Sequence, residues 1–377
     1  MLMRIAIVAG EPSGDVLAAG LIRALRSSYP DAYFYGIGGE QMQAEGFEAM
    51  FAMDSIALMG VESVLRDLRN ILRIRKSIEK AVLDDRPDCF IGVDVPDFNI
   101  TLERRLHERG IKVMHYVSPS VWAWRGYRIH KIKRAVDHIL TLFPFEKTYY
   151  DRHGIAATFI GHPTADKAVL IRERADISRR QHTIALLPGS RGAEVSALLP
   201  AMLGAAKLLY QAYPDKSFIL PFANERLMQC HAPQVQAANL PITITLGQSG
   251  EAMASACLSI VASGTAALEA MIYGSVMVVV YKVQWLSYAM FSMLKHIDHF
   301  SLPNQLLDTP EIPELSQKEV TAENIFRAAD RFLQNPAHMQ ALQVQFERIT
   351  ASLHTNTDQL AARAVLDLLQ TESHETK

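Results

Sequence analysis

Short apolar, strand-like runs recur from Arg4 to Tyr281, each separated from the next by a longer stretch of helical periodicity. The runs are Arg4–Ala9, Ala32–Ile37, Cys89–Val93, Lys112–Val117, His138–Leu142 and Ala157–Ile160. A second set comprises Thr183–Leu187, Ser217–Pro221, Ile242–Leu246, Leu258–Ala262 and Val276–Tyr281. A strand with one wet face alternates apolar and polar residues, whereas an unbroken run suits a strand covered on both faces of a parallel sheet. The helical stretches supply the crossovers that parallel neighbours require. The expected class is therefore α/β with doubly wound sheets. A length of 377 residues predicts two domains. The polar stretch Arg172–Gln181 marks the division. Residues 1–170 are expected to form one Rossmann-like domain and residues 171–340 a second, facing each other across a cleft. Residues 341–377 read as C-terminal helices, free to pack back on the first domain. The helical pattern of the tail runs from Thr321 and breaks at Asn335-Pro336.

Composition narrows the function. A hydrophobic content of 49% with 21% charged residues is ordinary for a soluble globular enzyme. The formal net charge of −2 argues against a nucleic-acid binder, which is normally basic. Cys89, Cys230 and Cys257 are far apart, so neither a disulfide framework nor a zinc cluster is implied, and a reducing compartment is expected. The first strand starts at Arg4 and leaves no room for a signal peptide. Val276–Tyr281, the longest apolar run read here, falls far short of the ~20 residues of a membrane span. The expected location is the cytoplasm.

Two glycine-marked turns stand out in the second half: Pro188-Gly189-Ser190-Arg191-Gly192 and Ser263-Gly264-Thr265-Ala266. Each follows a strand and precedes a helix, a unit that aims backbone N–H groups and a helix dipole at one point, where a phosphate is stabilised. Arg191 adds a cation able to grip phosphate in bidentate fashion. Glu269, about one turn into the second helix, is placed to accept hydrogen bonds from sugar hydroxyls. Together the two turns suggest a nucleotide diphosphate; separately, each also serves as a plain glycine-capped turn.

In the first half, Gly10-Glu11-Pro12-Ser13-Gly14-Asp15 links the first strand to the first helix, with Ser13 expected as N-cap. It lacks the dinucleotide pattern G-x-G-x-x-G, which removes the main support for a nicotinamide or flavin. Gly36-Ile37-Gly38-Gly39 ends the next strand. Asp94 and Asp97 follow Cys89–Val93 directly. A carboxylate at a strand's carboxyl end can take a proton from a substrate hydroxyl, and Asp94 is the candidate base. Asp97 is expected to cap the following helix. From Trp122 to Arg134 five cations occur without a carboxylate: Arg125, Arg128, Lys131, Lys133 and Arg134. No H-E-x-x-H, paired cysteine or Asp-x-Asp motif is present, so no metal is expected.

Residues 61–80 combine an apolar stripe with charge. Val61, Val64, Leu65, Leu68 and Leu72 line one side, and Ile71, Ile74 and Ile78 widen it. Six cations (Arg66, Arg69, Arg73, Arg75, Lys76, Lys80) face three carboxylates (Glu62, Asp67, Glu79). Such a helix rests in a bilayer interface or packs in a core with snorkelling arginines; the pattern alone favours the core.

These segments resemble the lipid-A-disaccharide synthases, inverting glycosyltransferases with two Rossmann-like domains. The resemblance rests on Gly10–Asp15, Met59-Gly60, Asp94-Val95-Pro96-Asp97-Phe98-Asn99 and the highly specific His115–Arg125 run, His-Tyr-Val-Ser-Pro-Ser-Val-Trp-Ala-Trp-Arg. It continues through Pro144-Phe145-Glu146, Gly161-His162-Pro163, Leu186–Val195, Ser263–Glu269 and Ser301-Leu302-Pro303-Asn304. A Pro313-Glu314-Leu315 element also matches, after an unfamiliar spacer.

The resemblance implies a GT-B type fold and transfer of a sugar from UDP-2,3-diacylglucosamine to 2,3-diacylglucosamine 1-phosphate, without a cofactor. It implies that Asp94 acts as base on the acceptor 6-hydroxyl. Ser190 and Arg191 would stabilise the leaving UDP, Ser263, Gly264, Thr265 and Ala266 would hold the diphosphate, and Glu269 the ribose. Glu11, Ser13, Gly14 and Asn304 are implied as further substrate-binding positions. Acylated substrates also imply a peripheral place on the cytoplasmic face of the inner membrane of a Gram-negative bacterium. That reverses the preference for 61–80: Val61, Val64, Leu65, Leu68 and Leu72 become acyl or membrane contacts on an anionic surface. A homodimer stays open. Two alternatives stand beside this reading: a UDP-N-acetylglucosamine-dependent transferase of a peptidoglycan precursor, and a UDP-sugar epimerase.

Overall fold

The computed structural model describes residues 2–56, 60–119, 121, 126–282 and 299–370, with side chains at all of these except 60–67, 127, 177 and 179. The calls at Met59, Trp122, Trp124 and Arg125 lie outside the described residues, as do the side chains of Val61, Val64 and Leu65. The chain divides into two compact units, residues 1–163 with 353–377, and residues 164–352.

The first unit is built on a seven-stranded sheet, ordered β3-β2-β1-β4-β5-β6-β7, in which every pair is parallel. The strands are β1 (Arg4–Ala9), β2 (Tyr33–Gly38), β3 (Glu48–Ala52), β4 (Cys89–Val93), β5 (Val113–Tyr116), β6 (His138–Thr141) and β7 (Ala157–Phe159). All five residues of β4 are buried, as an unbroken apolar run requires. Helices α1 (Pro12–Ser28), α2 (Glu40–Ala44), α3 (Gly60–Asp85), α4 (Pro96–His107), α5 (Ile129–Lys133) and α6 (Pro144–Arg152) make the connections. Ile74, Ile78 and Val82 of α3 join Phe90, Phe98 and Leu102 in the core.

Two expected caps each move by two residues. Helix α1 begins at Pro12 with Glu11 as N-cap, not Ser13, and α4 begins at Pro96 with Val95 as N-cap, not Asp97. Proline lacks the N–H that a first helical residue leaves unbonded, and its fixed φ suits that position, so in both cases it starts the helix early. Asp97 instead pairs with Arg128 at 2.5 Å. The buried Asp15 carboxylate accepts from the N–H groups of Gly39, Gln41 and Met42 at 2.9, 3.0 and 3.1 Å, which fixes the start of α2.

The chain returns to the first unit at its end. Helix Thr357–Gln370 packs on α1 so closely that a side chain at Gly20 would collide with Asp358. Lys112 Nζ donates to the carbonyls of Leu368 and Leu369 at 2.9 and 3.2 Å, placing a cation at that helix's negative end.

The second unit carries a six-stranded parallel sheet, ordered β10-β9-β8-β11-β12-β13. Its strands are β8 (Thr183–Leu187), β9 (Ser217–Phe222), β10 (Ile242–Leu246), β11 (Leu258–Ala262), β12 (Val276–Tyr281) and β13 (Glu314–Ser316). Among its helices are α7 (Pro163–Arg174), α8 (Gly192–Ala212), α9 (Glu225–Ala237), α10 (Ser249–Ala254) and α11 (Thr265–Ile272). By length and composition alone α8, at 21 residues, is apolar enough to cross a membrane. It is a β8–α8–β9 crossover, however, burying Val195, Leu199, Met202, Ala206 and Leu209. The helix Ala322–Leu333 packs against it at Gly204, whose missing side chain leaves room for Ala322.

Candidate active site

In an open parallel sheet, ligands bind outside the carboxyl ends of the strands, where the strand order reverses and neighbouring crossovers leave to opposite faces. The first unit reverses between β1 and β4, and the second between β8 and β11. The loops after those four strands are Gly10-Glu11, Asp94-Val95, Pro188–Arg191 and Ser263-Gly264. Each of the four motifs singled out in the sequence therefore flanks a switch point.

At the first switch point the two loops touch. A Cβ on Gly10 would lie 2.7 Å from Val95 Cγ2, and one on Gly14 would lie 3.4 Å from Val93 Cγ1. Gly14 is buried, while Glu11 and Ser13 are exposed beside the loop. Asp94 and Val95 both adopt left-handed backbone conformations, with φ of +53° and +43°. Such a conformation costs a non-glycine residue roughly 1–3 kcal/mol, most of all the β-branched Val95, and persists only where surroundings enforce it. Here Asp94 N–H donates to Tyr116 O at 2.9 Å. The buried Asn99 amide donates to the carbonyl of Asp94 at 2.8 Å and to that of Val8 at 3.2 Å. Asp94 Oδ1 accepts from Val95 N–H at 2.8 Å. Burial pushes its pKa above the ordinary carboxylate value, opposed by the Val95 N–H and the nearby His115. A carboxylate so placed is a stronger base than one in water.

At the second switch point, Gly189 has φ of +105°, and a side chain there would collide with Glu194. Arg191 is the exposed N-cap of α8. The N–H of Ser190 donates to Glu194 Oε2 at 3.3 Å, so a carboxylate of the helix's first turn already satisfies part of this loop. Gly264, at φ +144°, is the N-cap of α11, and Ser263 N–H donates to Val280 O at 2.9 Å. Gly264 and Thr265 are exposed and Ala266 half-buried, leaving the start of α11 open to an anion. Glu269, one turn on, has its pKa pushed up to about 7 by burial.

Asn304 serves its own loop. It is 3% exposed, its amide donates to Ile312 O at 2.9 Å and Glu314 Oε1 at 2.7 Å, and its oxygen accepts from the N–H groups of Glu311 and Ile312. Glu314 also accepts from the N–H groups of Phe300 and Ser301, which accounts for the Pro-Glu-Leu element as a clamp on residues 300–304. Glu194 and Tyr281, which feel Arg191 electrostatically, were not singled out in the sequence. Glu194 had a signal there, since it stands three residues after the arginine of the first glycine turn.

Helix α3 divides its apolar residues between two faces. Ile71, Ile74 and Ile78 are at most 7% exposed, whereas Leu68 and Leu72 are each 43% exposed. The carboxylate of Glu79 is gripped by Arg105 and Arg109 of the α4 segment at 2.9 Å each, which leaves the outward cations of α3 in excess.

A family model described as "Lipid-A-disaccharide synthetase" matches residues 5–367. The chain belongs to the lipid-A-disaccharide synthase family. It is 42% identical over 373 residues to the synthase of Alcanivorax borkumensis, covering 97% of both chains. To the Aeromonas hydrophila synthase it is 45% identical over 375 residues, covering 97% of this chain and 98% of that one. Likeness in fold reaches further than the family. A kitacinnamycin glycotransferase aligns with a TM-score of 0.62 at 14% identity, covering 97% of this chain and 99% of that one. A UDP-N-acetylglucosamine 2-epimerase from Neisseria meningitidis aligns at 0.60 and 12%, covering 98% and 100%. Those matches show two Rossmann-like domains and nothing finer; the family membership separates this chain from the epimerases.

Proposed function

We propose that this chain joins UDP-2,3-diacylglucosamine to 2,3-diacylglucosamine 1-phosphate, giving the β-1,6-linked lipid A disaccharide 1-phosphate and UDP. Asp94 takes the proton of the acceptor 6-hydroxyl as its oxygen attacks the donor's anomeric carbon. The bond from that carbon to the UDP oxygen breaks on the opposite side, so the configuration inverts, and the proton passes on to solvent. Charge growing on UDP is met by Arg191 and the N–H groups that open α8 and α11. The observation that carries this reading is the placement of Asp94 and of both glycine turns at the two switch points of a chain that matches the synthases throughout. Incubation with donor and acceptor should yield disaccharide phosphate and UDP in equal amounts. Release of UDP without acceptor, or a 2-epimer of the donor sugar, would overturn it.

The charge role of Arg191 has its own test. Arg191→Ala should weaken UDP binding by about tenfold and slow transfer more than that, because the guanidinium meets charge that grows in the transition state. Arg191→Lys should recover only part, since a point charge cannot replace the planar fork. Unchanged UDP affinity and rate in Arg191→Ala would remove this turn from the donor site.

The membrane role of α3 rests on its exposed leucines and outward cations. Leu68→Ser with Leu72→Ser should reduce binding to vesicles containing phosphatidylglycerol while the protein stays folded, since both side chains lie on the exposed face of α3 and outside the core. Ile74→Ala, on the core face, should instead cost about 2–5 kcal/mol of stability. High salt should loosen the wild-type protein from the same vesicles by screening. Vesicle binding unaltered by both the double substitution and salt would assign the membrane contact elsewhere.

A further inference from the structure

Beneath the Asp94 turn lies a buried ionisable pair that the transfer just described leaves unused. His115, on β5, stands opposite Gly92 of β4 in the parallel register. Glu103 reaches the same place from α4, and a side chain at position 92 would collide with its carboxylate. An isolated glycine inside a strand marks a close approach of this kind. His115 Nδ1 and Glu103 Oε1 are 2.6 Å apart, at 1% and 0% exposure. The second oxygen of Glu103 and Nε2 of His115 are also buried; neither has a further partner within hydrogen-bond geometry among the described residues, although the Val117 backbone lies near enough to the ring to favour its charged form. Asp94 follows Gly92 by two residues, and its N–H bonds the carbonyl of Tyr116, the neighbour of His115. Val117, two residues beyond His115, is left-handed at φ +77°. Thus three left-handed non-glycine residues, Asp94, Val95 and Val117, follow the ends of β4 and β5, two of them beside His115, the clustering expected where backbone strain serves a site.

Two buried ionisable groups are tolerated only as a pair, and a contact this short is charge-assisted. Burial draws the His115 pKa down, but the Glu103 carboxylate and, less strongly, Asp94 raise it further than burial lowers it. The groups facing the pair are Asp94 at the end of β4, Glu103 on α4, and Tyr150 on α6, whose hydroxyl bonds Ser118 and which lies in the field of Glu146. Among these, His115 is the one group able to carry positive charge.

We infer that Glu103 and His115 act as one positioning unit, an imidazolium fixed behind Asp94 that keeps that carboxylate ionised and aimed at the acceptor. The inference rests on reading Asp94 as the base. Neither residue touches substrate; both act through Asp94. Loss of the cation makes Asp94 harder to ionise, so the acid limb of the rate profile moves to higher pH.

The test compares kcat against pH for His115→Gln, Glu103→Gln and the double variant. His115→Gln keeps a donor for Glu103 without charge, and Glu103→Gln lets the buried imidazole discharge. Each should move the acid limb up by about one pH unit, with a loss of about tenfold below the limb that shrinks as pH rises. The double variant should move it no further than either single one. A rate lowered equally at every pH, or shifts that add, would mean a merely structural pair. Nitrogen-15 spectra of the wild-type enzyme at pH 8 give a check that no folding defect can spoil: His115 should show both ring nitrogens protonated, and a neutral ring overturns the inference. Failure of the base reading is separate, because it appears as activity retained by Asp94→Asn.

Discussion

Asp94→Asn should lower kcat by roughly 10² to 10⁴, the range supplied by a positioned general base. The substitution is well suited to isolating chemistry from folding. Asparagine is among the residues that best tolerate the left-handed region, so φ of +53° is retained without added strain. Its side-chain oxygen can still accept the Val95 N–H, as Asp94 Oδ1 does at 2.8 Å. The Asn99 amide still reaches the position-94 carbonyl, since that bond is to backbone. What disappears is the carboxylate whose pKa burial has raised, and with it the proposed acceptor for the substrate proton. Because UDP is proposed to bind the glycine turns of the other unit, its affinity should change little. A normal melting curve with normal UDP binding and a rate below a hundredth of wild type is the expected result. A variant retaining more than about a tenth of the wild-type rate would falsify the base assignment.

How much of this was legible in the sequence follows from burial. Strands covered on both faces announce themselves: Cys89–Val93, Thr183–Leu187, Leu258–Ala262 and Val276–Tyr281 read from composition with the bounds the structure gives them. The two strands that escaped are β3 and β13, which lie at the sheet edges. In β3 exposure alternates, and Glu48-Ala49-Met50-Phe51-Ala52 has no β-branched residue to mark it. In β13 only Glu314-Leu315-Ser316 pairs, too short to show a period. The glycine turns and Asp94 were legible because strand, turn and helix are contiguous. Strand order is not contiguous, so the fact that these loops meet at switch points could not be read from the chain alone. The same limit hid the pairing of Glu103 with His115. His115 is a lone polar residue in an apolar strand, Glu103 stands beside Arg104 and Arg105 on a mixed helix, and the one local hint was Gly92, an isolated glycine within a buried strand.

Glu269→Gln should make the protein more stable and the donor site weaker, and the two effects should part along the pH axis. Burial raises the Glu269 pKa to about 7 from the ordinary glutamate value of 4.5. The folded state therefore holds this proton more tightly than the unfolded one. That contribution to stability is complete below about pH 4.5 and is lost as pH climbs through 7, above which a charge sits buried without compensation. A glutamine cannot ionise, so at pH 8 the variant should exceed wild type by about 2 kcal/mol, a figure reduced from the full shift because the side chain is not wholly enclosed. The transition of this unit should rise by roughly 4–8 °C at pH 8, and the two proteins should converge near pH 4.5. Binding should move the other way. If the carboxylate accepts hydrogen bonds from the ribose hydroxyls, the ligand stabilises its ionised form, and affinity grows as pH rises through 7. Uridine is the probe of choice, because the terminal phosphate of UDP itself titrates near pH 6. Wild type should bind uridine several-fold more tightly at pH 8.5 than at pH 5.5, and Glu269→Gln should bind weakly and equally at both. A wild-type affinity that stays flat across that range would place the ribose elsewhere, even if the gain in stability were found as expected. The group that weakens the fold would then have no work to justify it, which is why the binding arm decides the assignment.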